Sequence, residues 1–371
     1  MKRYPSEIRL LVYLLLIIIS VFILVIARDF LIPVSLAILL SYLLYPLAKQ
    51  LEQWHIHRIF ANIIVILVAY IVIGGVLFVL STLVSDFMAD LPNIKEQAVE
   101  NINTLEKNIR STFDFFLASK NGYLTDQIKN LLDFSGSFIG RVFTTTTSTL
   151  AKFALLPIYI FLFLFYREKF HHFLHKLLPI RHHNKLDIIL DKIKNITKGY
   201  MGGLVIVVII LAVLNSTGLV IIGLKHAILF GILAAIMNLI PYIGTIIGAA
   251  LPFTFALIGE SDPSFALGVV ILFVIVQFIE NNILTPNITG SQVNINPLIT
   301  IMTVIAGGMI WGIAGMFIFL PFVAMFKVIC ENIDTLKPYA YLLGTQGVEQ
   351  HSIQLGRIRA RIRKWRSRGS L

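Results

Sequence analysis

The chain has 371 residues, 57% of them hydrophobic and 14% charged, and a formal net charge of +11. Soluble domains average about 25% charged residues, so this composition and a mean hydropathy of +0.84 exclude an ordinary soluble domain and point to a polytopic membrane protein. The single cysteine, Cys330, excludes an intramolecular disulfide and gives no support for a thiolate metal cluster.

Uncharged windows predict the spans in chain order, each read against the roughly 20 residues needed to cross the hydrocarbon. They are 10–27, 30–48, 59–85, 150–166, 199–224, 227–259, 263–279 and 281–326. Lys2 and Arg3 precede the first window as in a signal peptide, but the window is too long for one, and a retained helix is predicted. Lys152 lies near enough to one end of its window to snorkel. The windows 227–259 and 297–326 are too long for one helix and short for two, which predicts hairpins, either spanning or re-entrant. The fold class is therefore all-α and polytopic, with about eight hydrophobic segments, two of them broken.

Charge assigns the sides. With the N-terminus inside, 167–198 carries eight Lys/Arg and 327–371 carries nine, whereas 86–141 has six Lys/Arg against eight Asp/Glu. This obeys the positive-inside rule, with both termini cytoplasmic. The domains read as three transmembrane helices in 1–85, an external amphipathic helical insert in 86–141, a transport region in 142–335 containing the basic loop 167–198, and a basic tail in 336–371.

In the insert, Ile94, Ala98, Ile102, Leu105, Ile109, Phe113 and Phe116 share one helical face, and Asn93 after Pro92 is a candidate N-cap. That face covers its own bundle or meets another subunit. "LDIILDKIKNI" in the inner loop has a similar face and is predicted to lie along the membrane surface. The tail "GRIRARIRKWRSRGSL" fits anionic lipid headgroups, or simply follows the positive-inside rule as a disordered tail. No recognition module accompanies it, so nucleic acid is not expected.

The chemistry is read partly from absences. There is no G-x-x-x-x-G-K-[ST] and no G-x-S-x-G, so neither an ATP motor nor a nucleophile-elbow hydrolase is encoded. All nine His lie in loops or at span edges. "HHFLH" at His171–His175 has i, i+4 spacing that could hold a metal, but lacks an adjacent acidic ligand and sits in a basic loop. It reads as solvated surface, and no metal, cofactor or catalytic residue is predicted.

Two constellations remain. In "MNLIPYIGTIIGAALP", Asn238 and Pro241 interrupt a helix, while Gly244 and Gly248 permit close backbone approach. Discontinuous helices of this kind bind substrates and ions in transporters; a kinked helix with a packing face is the bland alternative. "VQFIENNILTPNITGSQVNINPL" supplies Gln277, Glu280, Asn281, Asn282, Pro286 and Pro297. Glu280 is the only charge between Asp262 and Lys327. A carboxylate at membrane depth signals function, whereas one at the interface is merely hydrated. Gly307, Gly308, Gly312 and Gly315 in "AGGMIWGIAGMFIFLP" suit a tightly turned hairpin.

"GLKHAILFGILAAIMNLIPYIGTIIGAALP" and "QFIENNILTPNITGSQVNINPLITIMTVIAGGMIWGIAGMFIFLPFVAMFK" together resemble the AI-2E (autoinducer-2 exporter-like) membrane proteins. The resemblance extends from about the first span to residue 335. It departs at "YMGG", where Gly202 and Gly203 stand in place of the family's Arg-Gly-Gln, and at Asn296, where members often have His before the proline. The resemblance implies a multi-pass bacterial inner-membrane transporter and homo-oligomer. Family cargo ranges from a quorum-sensing furanone to sodium and protons. The expected partners are thus the lipid bilayer, a small polar solute or cation, and further copies of the chain. The reading is a secondary or passive transporter exporting a small polar solute. Its rivals are a Na⁺/H⁺-type antiporter using Glu280 and a non-transporting scaffold or sensor presenting helix 92–118.

Overall fold

The computed structural model describes residues 6–112, 137, 140, 155–259, 262, 264–289 and 294–345. The architecture is all-α: α1 (Ser6–Ile26), α2 (Arg28–Gln53), α3 (Arg58–Thr112), α4 (Leu156–Phe165), α5 (Arg167–Leu177), α6 (His183–Ile222), α7 (Ala227–Met237), α8 (Ile243–Gly259), α9 (Ser264–Ile279), α10 (Pro297–Asn332) and α11 (Lys337–Leu343). A wider π-helical stretch, Glu280–Thr289, prolongs α9. Five stretches are long and apolar enough to cross a membrane: 28–53, 58–101, 180–222, 264–288 and 297–332. This is the all-α polytopic fold expected.

Polar contacts mark the two ends of the bundle. At the basic end, Arg167 pairs with Glu52 at 2.5 Å, Arg58 with Glu168 at 3.0 Å and Lys185 with Asp334 at 3.3 Å. At the opposite end, Asp90 receives Lys225 at 2.6 Å and His226 at 3.0 Å. Phe87 packs there between His226, Phe230 and Phe255, with ring centroids 5.1–5.8 Å apart.

Both long windows are hairpins. Ala227–Met237 packs antiparallel on α6, with Gly231 against the backbone of Ser216, and the chain then reverses over 238–242 so that α8 returns along α7. Its 11 residues rise about 17 Å at 1.5 Å each, which is too short for a hydrocarbon core of about 30 Å. This hairpin therefore enters from the Asp90 end and turns back partway. The second hairpin enters from the basic end. Gly312 has φ 63 and ψ −145, a conformation open to glycine. Backbone atoms of Gly307 and Gly315 touch across the turn, although residues eight apart in one straight helix would sit about 12 Å apart.

Helix α6 carries both hairpins. Its first half joins Leu39 of α2 and Ile318, Leu320 and Val328 of the second hairpin through Ile193, Tyr200 and Met201. Its middle, Val207 and Leu211, meets Ala235 and Val276. Its last turn, at Leu219, joins Phe230, Leu233 and Phe255 of the first hairpin.

Two expectations fail here. "LDIILDKIKNI" is not a separate surface helix: it is the start of the continuous α6, and Leu186 and Ile193 are buried. Its apolar face finds protein rather than lipid headgroups. Asn93 does not cap a helix, because α3 runs through Pro92 without a break; its Nδ2 donates to Asp90 Oδ1 at 3.2 Å instead. Ile94 is buried beside Phe87. Phe113, Phe116 and the basic tail 346–371 lie outside the described residues.

Candidate functional site

The break between α7 and α8 places one polar side chain where the apolar helix ends. Asn238 caps the C-terminus of α7, its N–H donating to the Ala234 carbonyl. Pro241 supplies no donor, and Tyr242 sits at φ 65, a left-handed conformation rare in a residue with a Cβ. Holding such a residue costs of order 1–3 kcal/mol and is typical of functional segments. The turn is closed by Ile243 N donating to Pro241 O at 2.8 Å and Gly244 N to Ile240 O at 2.9 Å. Gly244 is required by space: a Cβ there would collide with the Met237 carbonyl. Gly248 lies one turn further, where a Cβ would be 2.9 Å from Ala234 Cα.

The same turn meets the second constellation. Asn238 Nδ2 donates to Glu280 Oε1 at 2.6 Å, and Gln277 Nε2 donates to Glu280 Oε2 at 3.0 Å. Gln277 Nε2 also lies 3.1 Å from Asn281 Oδ1. Each carboxylate oxygen thus has one amide donor. Amides orient a carboxylate without cancelling its charge, and no Lys or Arg occurs from 263 to 326. The group can accept a proton, a cation or a polar solute's donors. Glu280 opens the π-helical stretch, a geometry frequent at functional sites.

The structure gathers some of the predicted residues and separates others. Asn238, Gln277, Glu280 and Asn281 form one node, with Pro241, Gly244 and Gly248 shaping the turn beside it. Asn282 instead donates to the Phe278 carbonyl at 2.9 Å. Pro286 lies within the π-helical stretch. Pro297 starts α10 behind the Asn296 cap, whose Oδ1 accepts from Leu298 N at 3.0 Å, and Asn296 N donates to Leu343 O at 2.8 Å. Gly307, Gly308, Gly312 and Gly315 build the second hairpin, Gly308 against the Met316 side chain. Trp311, at its tip, donates Nε1–H to Leu24 O at 2.9 Å.

Sequence reasoning missed Asn215. It is buried between Leu211 and Leu219 on the face of α6 that meets the first hairpin, and its Oδ1 has no hydrogen-bond partner. An Asn in the middle of an apolar window was the signal available. It also missed the Asp90–Lys225–His226 contact, whose members are 135 and 136 residues apart or adjacent, a separation that leaves no local pattern.

Residues 11–335 match the profile of the AI-2E family transporter. YueF of Bacillus subtilis strain 168, provisionally named a transport protein, is 26% identical over 317 residues, covering 82% of this chain and 84% of that protein. YrrI of the same organism, similarly named, is 26% identical over 320 residues, covering 81% and 86%. The AI-2 transport protein TqsA of Escherichia coli K12 is 22% identical over 326 residues, covering 85% and 90%. With apolar helices throughout and a profile match over most of its length, the chain belongs to the AI-2E family of membrane transporters.

Proposed function

We propose that this transporter moves a small polar solute of the AI-2 kind out of the cell across a bacterial inner membrane, along a path that passes the Asn238–Gln277–Glu280–Asn281 node. The observation that carries the reading is the meeting of the broken α7–α8 turn with Glu280. Two interruptions of helical structure, 42 residues apart, converge on one carboxylate. Packing alone needs no such group, because a part-buried carboxylate is costly to desolvate and a kinked helix can be packed with apolar residues. The TqsA relationship supports the solute class, and the charge count of the loops supports cytoplasmic termini. Five described segments, α2, α3, α4, α6 and α9, alternate in direction between the two ends, which fits a cytoplasmic basic end.

The test is flux in proteoliposomes, for AI-2 and for Na⁺ and H⁺, with wild type and Glu280→Gln. Glu280→Gln keeps size and removes charge. The reading expects AI-2 flux to fall at least about tenfold at unchanged protein abundance, a barrier change near 1.4 kcal/mol. Unchanged AI-2 flux would remove the node from the path. Loss of Na⁺ or H⁺ exchange, with no AI-2 movement in wild type, would replace solute export by cation antiport.

A further inference from the structure

We propose that His171, His175 and Asp187 form a binding site for a divalent transition metal of the zinc class, at the basic end of the bundle. His171 and His175 stand one turn apart on α5, and Asp187 comes from the start of α6. His171 Nε2 lies 3.1 Å and His175 Nε2 2.7 Å from the same oxygen, Asp187 Oδ1. All three candidate ligand atoms lie within 4.8 Å of one another. Zinc bonds to imidazole nitrogen and carboxylate oxygen at about 2.0–2.2 Å, so neighbouring ligands of a tetrahedral ion are about 3.4 Å apart. Small side-chain rotations bring the observed pairs to that spacing. Two imidazoles and one carboxylate suit zinc, cobalt or nickel rather than magnesium or calcium, which prefer all-oxygen shells.

The basic character of the loop argued against a cation when only the sequence was considered. The fold changes that in two ways. It brings in Asp187, 12 residues from His175, and it engages four of the nearby cations elsewhere, although Lys176 stays beside His175. Lys185 pairs with Asp334, Lys192 donates to Asn332, Arg167 binds Glu52, and Lys169 lies over the Tyr166 ring. Side-chain exposures of 49% for His171, 45% for Asp187 and 21% for His175 leave a side of the cluster open to solvent, from which an ion and a fourth, water ligand can enter. A bound metal would fasten α5 to α6, the helix on which both hairpins rest.

The test is titration of untagged full-length protein in nanodiscs with Co²⁺, read by its visible absorption bands, followed by displacement with Zn²⁺. Wild type should bind one equivalent with the intense bands of a four-coordinate nitrogen and oxygen site. His175→Ala and Asp187→Asn should each weaken that equivalent by at least about tenfold, as loss of a ligand requires. His182→Ala, outside the cluster, should leave it unchanged. Asp187→Asn preserves shape and hydrogen bonding, so its effect separates ligation from folding. Absence of a stoichiometric equivalent in wild type, or its survival in both ligand variants, would overturn the proposal.

Discussion

Replacing Gly244 or Gly248 by alanine tests whether the α7–α8 turn depends on backbone-to-backbone contact. A Cβ on Gly248 would stand 2.9 Å from Ala234 Cα, 3.1 Å from Ala234 O and 3.2 Å from Ala234 Cβ. Ordinary contact begins near 3.4 Å, so α8 must withdraw by about half an ångström along that line. Overpacking of this size costs about 1–3 kcal/mol. At Gly244 the obstacle is the carbonyl of Met237, with the Asn238 nitrogen 2.9 Å away, and neither is a flexible side-chain end. Gly244→Ala therefore has to reopen the turn that presents Asn238 to Glu280, and its loss should exceed that of Gly248→Ala. Gly74 and Gly75 provide the control, since nothing lies within 4 Å of a Cβ at either. Gly74→Ala should be neutral or stabilising by up to about 1 kcal/mol from helix propensity. Thermal unfolding in nanodiscs and flux in proteoliposomes should rank the variants Gly74→Ala, Gly248→Ala, Gly244→Ala in increasing severity. A Gly244→Ala protein as stable and active as Gly74→Ala would refute the claim that contact at this turn shapes the node.

Asp90→Asn removes the ion pairs to Lys225 and His226; with Lys225 largely exposed, about 1 kcal/mol of stability should be lost, read as a lower unfolding midpoint with normal membrane abundance. Lys337 and Lys185 beside Asp334 hold its carboxyl below the ordinary value of 3.8. Their stabilisation is complete above that value and fades as pH falls through the lower folded-state value, so the midpoints of wild type and Asp334→Asn should differ at pH 6 and converge under acid. For topology, a cysteine at exposed Glu96 should react with an impermeant maleimide from outside, and one at Lys169 only after permeabilisation. Cys330 is buried and gives little background.

What the sequence could show follows from the range of the interactions. Spans and their ends are local in hydrophobicity, so the windows anticipated α1, α2 and the apolar part of α6 closely. The hairpins were also legible, because Pro241 and the glycines of 307–315 break local rules that packing alone does not demand. The pairing of Asn238 with Glu280 was not legible: each stood out by itself, but nothing local joins two positions 42 residues apart. "LDIILDKIKNI" was misplaced for a related reason. Its periodicity shows that one face is apolar, and a membrane surface or a neighbouring helix satisfies such a face equally well. Only the fold presents Leu39 and Ile318 to it.

The position of α6 in the chain has a consequence for biogenesis. An 11-residue arm such as α7 cannot settle across a bilayer by itself, and its broken end leaves backbone groups that lipid cannot satisfy. Synthesis delivers α6 immediately before it, separated only by residues 223–226, so cover is waiting when the arm emerges. The second hairpin arrives after α1, α2 and α6, the helices it rests on, have all been made. Each half-span thus follows its dock out of the ribosome, and a circular permutant opening at 227–259 would expose both of its arms to lipid before any partner existed.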